Sequence, residues 1–278
     1  MRILYTNING KLVEAAQATL PPDNRAFRYG YGLFETMLVQ EGVINLAAYH
    51  WERLFRGMQQ LAIEPPKLFT KEFLGQEVIR TVKKNQLEKL CRVRLQVYAG
   101  EGGLYDIQDS KPGFIIECFP LNASLLDLNE HGLVLGIATE LSKSVDNLAN
   151  LKTSNALIYA MAAQQAKVGK WNDALISNTA GNIIESTIAN IFWVNDKQVF
   201  TPPLSEGCIA GVMRRQLLEV LPSKGYSVSE QVLTAEILAT ADSIFLTNVI
   251  RHIKWVGQIG DTSYNSSLIP AIYRDVFL

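Results

Sequence analysis

The chain alternates between stretches with helical apolar spacing and short runs rich in β-branched and aromatic residues. Leu46, Tyr49, Leu54, Met58 and Leu61 recur at helical spacing across residues 45–61, which predicts an amphipathic helix. A second helix is expected over about 71–85, beyond the break at Pro65-Pro66. Across 155–168, Leu157, Ile158, Met161 and Ala162 share one apolar face without an internal Pro or Gly. Thr153 and Ser154 are placed to cap that helix and Gly169 to stop it. Further helices are expected from the glycine-led run at 207–215 to about 221, over 234–240 and over 268–277. Asn9-Gly10 between alternating residues predicts a hairpin across 3–15. Other β runs are read at 37–40, 92–98, 113–119, 132–138, 174–177, 183–184, 190–194, 225–232, 243–247 and 255–260, with one more ending at 199–203. The turn at 179–182 makes 174–184 a hairpin.

These elements fall on either side of a candidate linker at 120–127. A smaller α/β domain is expected over 1–119 and a larger one over 128–278. Residues 139–149 are polar and read as an ordered connection leading to Lys152. No internal repeat and no low-complexity tract interrupts the chain.

Composition narrows the class. The 278 residues are 48% hydrophobic, with 26 basic against 27 acidic side chains, so the basic excess of a nucleic-acid binder is missing. No apolar run approaches a membrane span and the start MRILYTNINGK lacks a signal-peptide pattern, which leaves the cytoplasm as the expected location. Three widely spaced cysteines, Cys91, Cys118 and Cys208, fit reduced core thiols. The three histidines have no ligand spacing, and neither a metal site nor a Ser-His-Asp hydrolase is expected.

Chemistry concentrates in 150–194. Lys152 lies at a junction leading into a helix, and Glu185 lies at the end of the hairpin that follows. By residue type alone both belong on a surface. Arg53 lies on the first predicted helix within His50-Trp51-Glu52-Arg53-Leu54, and an arginine there is by itself an ordinary solvated one. Glycines 30 and 32, in Arg25-Ala26-Phe27-Arg28-Tyr29-Gly30-Tyr31-Gly32-Leu33-Phe34-Glu35-Thr36, allow backbone to approach another surface. The run Gly207-Cys208-Ile209-Ala210-Gly211-Val212-Met213 opens a helix whose free N–H groups suit an anion.

Taken together, these motifs resemble the class IV aminotransferase family. The match comprises a lysine followed three residues on by Asn155, a hairpin with Asn-x-x-Gly-x-Ile, Glu-Ser-x-x-x-Asn-x-Phe-x-Val, H-x-x-R-L and GxGxFE/T, in the family's order and across nearly the whole chain. The resemblance implies an α+β, two-domain fold type IV enzyme, similar to D-amino-acid aminotransferase, that uses pyridoxal 5′-phosphate (PLP). It implies that Lys152 forms the Schiff base and shuttles the substrate's Cα proton. Glu185 then faces the pyridine nitrogen and keeps the ring an electron sink. It gives the cofactor phosphate to Arg53 and to main-chain donors of Gly211, Val212 and Met213, and places a phosphate- or carboxylate-binding turn at Asn248 and Val249. Tyr31, Thr36, Arg94 and Asn248 are the implied substrate residues. The two domains are expected to close on one cofactor in a homodimer whose Tyr31 region reaches the neighbour's cavity.

The resemblance implies a small amino compound as substrate, and three features are similar to 4-amino-4-deoxychorismate lyases, enzymes of folate biosynthesis. These are Asn155, the Gly211-Val212-Met213-Arg214 turn and Thr247-Asn248. The loop Gly102-Gly103-Leu104-Tyr105 is also similar, with leucine where many lyases carry arginine. Ala99 stands where D-amino-acid transaminases place a basic residue. Arg94, Gly100, Glu101 and Gly103 satisfy the R-x-x-x-x-x-G-(D/E)-x-G of branched-chain aminotransferases, which are the runner-up. A noncatalytic protein on the same fold is the third reading, opposed by the presence of Lys152, Glu185 and Arg53.

Overall fold

The computed structural model describes residues 4–106 and 111–278, and the chain divides into two compact units. The first holds Met1–Leu125 together with Leu151–Asn155; the second holds Leu126–Asn150 and Ala156–Leu278. The break between Leu125 and Leu126 lies within the 120–127 segment; the strip Leu151–Asn155 is what the expected division did not contain. The segment carrying Lys152 belongs to the first unit although the chain on both sides of it belongs to the second.

In the first unit β1 (Tyr5–Ile8) and β2 (Lys11–Glu14) form the expected hairpin, turning at Asn9 and Gly10, both with positive φ. Ile3, the first residue of that expectation, lies outside the described residues. A short helix, α1 (Arg25–Tyr29), is held by the Asn24 side chain, which accepts from the amides of Ala26 and Phe27. Then follow β3 (Gly32–Gln40), β4 (Val43–Ile44), α2 (Ala47–Gln60), α3 (Lys71–Lys84), β5 (Leu90–Tyr98) and β6 (Gly113–Pro120). The strand expected at 37–40 begins five residues earlier, because Gly32 to Gln40 pairs in full with β5. The antiparallel sheet runs β2-β1-β6-β5-β3-β4. One face buries Met37, Val93, Leu95 and Ile116 against Leu54, Met58, Leu74 and Val78 of the two long helices. Each such fully buried aliphatic side chain contributes about 1.5–3 kcal/mol. The opposite face alternates to half-buried Phe34, Thr36, Arg94 and Gln96, as the two-residue period of a strand requires.

The second unit contains β7 (Leu133–Lys143), α4 (Leu157–Gly169), β8 (Asp173–Asn178), β9 (Ile183–Ser186), β10 (Asn190–Asn195), β11 (Gln198–Thr201), α5 (Val212–Ser223), β12 (Ser227–Glu230), α6 (Ala235–Thr240), β13 (Ser243–Asn248), β14 (His252–Ile259), β15 (Thr262–Ser263) and α7 (Ile269–Phe277). Pairing of Asn190 with Glu185 joins β10 to β9 and closes β10-β13-β14-β7-β8-β9 into a ring. Leu135, Leu175, Ile191, Trp193, Leu246 and Val256 form one core. Phe192 and Phe245, stacked 5.1 Å apart, point the other way beneath α5 and α7. A third cluster packs α4 on Ala138, Ala174 and Ile176.

Three local expectations change. β7 continues to Lys143, through ground expected to be a connection. Thr153 and Ser154 do not cap α4, whose N-cap is Ala156; their backbone lies along β3 instead. The left-handed residue that ends α4 is Lys170, while Gly169 remains helical, at a place where the Trp171 indole leaves no room for a Cβ. Among the described residues no helix is long and apolar enough to cross a membrane.

Candidate active site

Lys152 is positioned by sheet edge chemistry. β4 covers only the far end of β3, pairing with Val39 and Gln40, so the Gly32 to Phe34 backbone needs partners. The Phe34 amide donates to the Lys152 carbonyl at 2.9 Å, and the Ser154 amide donates to the Gly32 carbonyl at 2.8 Å. Gly30 and Gly32 have the close approach their residue type allows: a Cβ on Gly30 would lie 2.9 Å from the Cβ of Asn155, and one on Gly32 3.0 Å from Ser154 Oγ. The Lys152 ammonium lies 4.5 Å from the centre of the Phe34 ring, and the Arg94 guanidinium 3.8 Å from the same centre. Two cations on one ring concentrate positive potential over this face. Burial pulls Arg94 below its ordinary value, although Glu117 opposes the shift. Thr36 pairs with Arg94 across the two strands. Tyr31 is spent within its own unit, its hydroxyl donating to the Leu61 carbonyl at 2.6 Å.

Arg53 leans on a buried acid. Its Nε and Nη2 donate to Oε1 and Oε2 of Glu35 at 2.8 and 2.5 Å, and His50 Nδ1 donates to Oε2 at 2.6 Å. Burial alone would raise the Glu35 carboxyl. The Arg53 charge and the hydrogen bonds from His50 and Arg53 outweigh it and bring the group down from 4.5 to about 2. A two-point fork fixes both the place and the plane of the guanidinium.

In the second unit Glu185 is 2% exposed. Its Oε1 accepts from Lys143 Nζ and the Tyr159 hydroxyl, both at 2.7 Å, and its Oε2 accepts from the Ile209 amide at 2.9 Å. Burial and this carboxylate drive the Tyr159 phenol far above its ordinary value, so it stays a donor. The same two causes raise the Cys208 thiol to about 12. Asn190 anchors the run into α5 by donating to the Ile209 carbonyl, and its side chain fills the space that a Cβ on Gly211 would need. Threonine side chains cap α3 and α6, whereas α5 starts from Gly211 with no side-chain cap. The first amides of that helix, from Val212 and Met213, therefore face outward along the helix axis. Asn248 shapes the β13–β14 turn: its Oδ1 accepts from the amides of Ile250 and Arg251, and its Nδ2 donates to the Ile188 carbonyl. Val249 is buried within that turn.

The family profile described as amino-transferase class IV matches residues 32–259. The chain belongs to the class IV aminotransferase family. An aminodeoxychorismate lyase of Vibrio harveyi is 31% identical over 245 residues, covering 87% of this chain and 88% of its own. A branched-chain-amino-acid aminotransferase of Salmonella typhimurium is 26% identical over 268 residues, with 92% and 84% covered. The crystal structure of 4-amino-4-deoxychorismate lyase from Pseudomonas aeruginosa has a TM-score of 0.85 at 25% identity, over 97% of each chain. Class IV aminotransferases are PLP-dependent enzymes of fold type IV, and the α+β architecture is theirs. The donor set in this member fits that cofactor. By type, the Lys152 amine and the guanidinium locked by Glu35 in the first unit suit an aldehyde and a phosphate, and the buried Glu185 carboxylate and uncapped helix start at Gly211 in the second suit a ring nitrogen and a phosphate.

Sequence reading missed the residues that hold the others. Glu35 and His50 stand inside quoted motifs, yet only the folded contact shows that they grip Arg53. Lys143 sits in a polar stretch 42 residues before Glu185, and no spacing rule links the two. Tyr159 lies on α4, where its ring reads as one more apolar contact.

Proposed function

We propose that this class IV aminotransferase family member is a 4-amino-4-deoxychorismate lyase, releasing pyruvate and p-aminobenzoate. The observation that carries the reading is likeness to lyases over nearly the full chain, in the Vibrio harveyi sequence and the Pseudomonas aeruginosa structure. Met213 supports it: the start of α5 lacks the threonine hydroxyl of branched-chain enzymes.

Bound PLP supplies an electron sink for the pair of electrons left when a proton departs from the amino-bearing carbon. The protein supplies everything else. Lys152 is the covalent attachment point and the base that takes that proton. Glu185 holds a proton at the ring nitrogen. Arg53, kept in plane by Glu35, and the amides of Val212 and Met213 bind the phosphate. The turn shaped by Asn248, continued by Val249, also serves the phosphate. Arg94, Thr36 and the Tyr31 ring serve the substrate, and the Arg94 guanidinium over Phe34 suits its carboxylates. The ether bond to the enolpyruvyl group then breaks, the ring becomes aromatic, and the released enol takes up a proton to become pyruvate. Aromatisation drives the cleavage, so positioning is the protein's main task.

The test supplies 4-amino-4-deoxychorismate to the PLP-loaded protein without any keto acid. Equimolar pyruvate and p-aminobenzoate are expected, and Lys152→Ala should abolish both. The branched-chain transaminase reading draws on the Salmonella typhimurium relative and on Arg94 with Gly100, Glu101 and Gly103. Absence of p-aminobenzoate, with amino transfer from L-leucine to 2-oxoglutarate, would establish it instead. The working unit is a homodimer in this reading. Leu157, Met161 and Val168 support it, forming an exposed apolar stripe along α4. A monomer in sizing measurements at assay concentration, with full activity, would refute it.

A further inference from the structure

The end of β7 is built irregularly, and the irregularity delivers one side chain. β7 and β8 run parallel in register from Leu135 opposite Asp173 to Ile137 opposite Leu175. Pairing then breaks and resumes with Ser142 opposite Ser177 and Lys143 opposite Asn178. Five steps along β7 thus face two along β8, and Glu140 inside the bulge adopts φ 59. Three extra residues are an odd number, so the bulge turns odd-numbered side chains of β7 onto the opposite face of the sheet. Before it, Leu135 lies in the core within the ring. After it, Lys143 lies on the face of Ile176 and Glu185, beneath α4, and meets Glu185 there.

We propose that Lys143 is a positioning residue: delivered by the β7 bulge, it holds Glu185 ionised and turned so that Oε2 is the oxygen left to serve the cofactor's ring nitrogen. The inference rests on the reading of Glu185 given above. Lys143 and Tyr159 together fill Oε1, which has two lone pairs, while Oε2 carries only the Ile209 amide among the described residues. Lys143 Nζ also donates to the Tyr159 hydroxyl oxygen at 2.6 Å, so ammonium, phenol and carboxylate form a closed triangle. The groups around Glu185 are Lys143 from β7, Tyr159 from α4, and the Ile209 amide and Cys208 thiol from the run into α5. Lys143 is the one cation among them. Without it, a carboxylate this deeply buried is driven to take up a proton.

The test compares Lys143→Met, Lys143→Arg and Lys143→Met/Glu185→Gln in the full chain, with and without added PLP. In Lys143→Met the folded protein binds a proton near neutral pH that the unfolded chain does not. Stability must therefore fall as pH rises from 5.5 to 8. The expected loss in Tm at pH 8 is roughly 6–10 °C relative to wild type, shrinking toward pH 5.5. Lys143→Arg should follow the wild-type profile, and adding Glu185→Gln to Lys143→Met should recover most of the loss. In the PLP-loaded protein, removal of the cation that holds Glu185 should move the pH midpoint of the visible absorption upward by about one unit. A Lys143→Met profile parallel to wild type at every pH, or one unrelieved by Glu185→Gln, overturns the proposal. An unmoved absorption midpoint also overturns it, since it reduces Lys143 to a packing role. If the wild type takes up no PLP, the functional reading fails, and the pH profile of Tm still decides whether Lys143 keeps Glu185 ionised.

Discussion

Glu35 and Glu185 are both buried acids held by cations, yet they are assembled in opposite ways. Glu35 takes its partners from one neighbouring helix: His50 and Arg53 lie three residues apart on α2, which follows β3 after only the two-residue β4. Glu185 draws its three donors from β7, α4 and the run into α5. The first cluster is local, with a rigid fork on a carboxylate that one helix face can satisfy. The second forms only when distant elements have already packed. A clamp of the first kind suits a structural task, namely holding an arginine still. An acid whose partners come from separate elements is set only by the finished fold of its unit, and that suits service to a bound group.

The largest expected effect tests the structural half of this contrast. Glu35→Gln leaves the Arg53 guanidinium without its buried anion and should cost about 3–5 kcal/mol in urea unfolding. PLP affinity should weaken alongside. A stability loss within about 0.5 kcal/mol, the range of an ordinary surface substitution, would remove the structural role of Glu35. Next, Glu185→Gln should lower turnover roughly 10²–10³-fold at saturating PLP, the usual scale for removing one electrostatic group from a site. Single-turnover rates equal to wild type would take the ring nitrogen away from Glu185.

A smaller effect sharpens the role of the fork. Arg53→Lys keeps the charge but not the plane, so PLP should bind about tenfold more weakly with little change in turnover once saturated. Equal affinity in the two proteins would mean that charge alone suffices. The smallest effect is in acid. Glu35 is depressed to about 2, so its contribution is complete above the unfolded value near 4.5 and is lost as pH falls through the folded one. Between pH 7 and pH 4 this amounts to about 1 kcal/mol, measurable as the part of the acid destabilisation that Glu35→Gln lacks.

The same locality decides what could be read from the sequence. The helix carrying Arg53 was legible because Leu54, Met58 and Leu61 repeat on one face and H-x-x-R-L sits inside it. The hairpin at Asn9-Gly10 was legible because its turn chemistry lies in two adjacent residues. Lys152 and Glu185 stand in short contiguous motifs, so the resemblance singled them out. The β7 bulge was not legible: Thr139 to Lys143 is polar, and the residue that makes it strand is its partner β8, more than thirty positions on. Nor could any local pattern show that Leu151–Asn155 belongs with β3, because the cause is an unfilled backbone edge elsewhere in the chain.

That strip has a consequence for how the protein is made. When Leu125 has emerged from the ribosome, the residues of every described helix and strand of the first unit have been made, but those that pair with the Gly32 to Phe34 edge have not. It stays bare until Leu126–Asn150, which belongs to the other unit, has followed. A nascent or truncated chain ending anywhere in that interval displays an open strand with free amides and carbonyls, ready to recruit another copy. Lys152 arrives as part of the seal, so the residue proposed for the chemistry is delivered by the same step that makes the first unit safe from self-association.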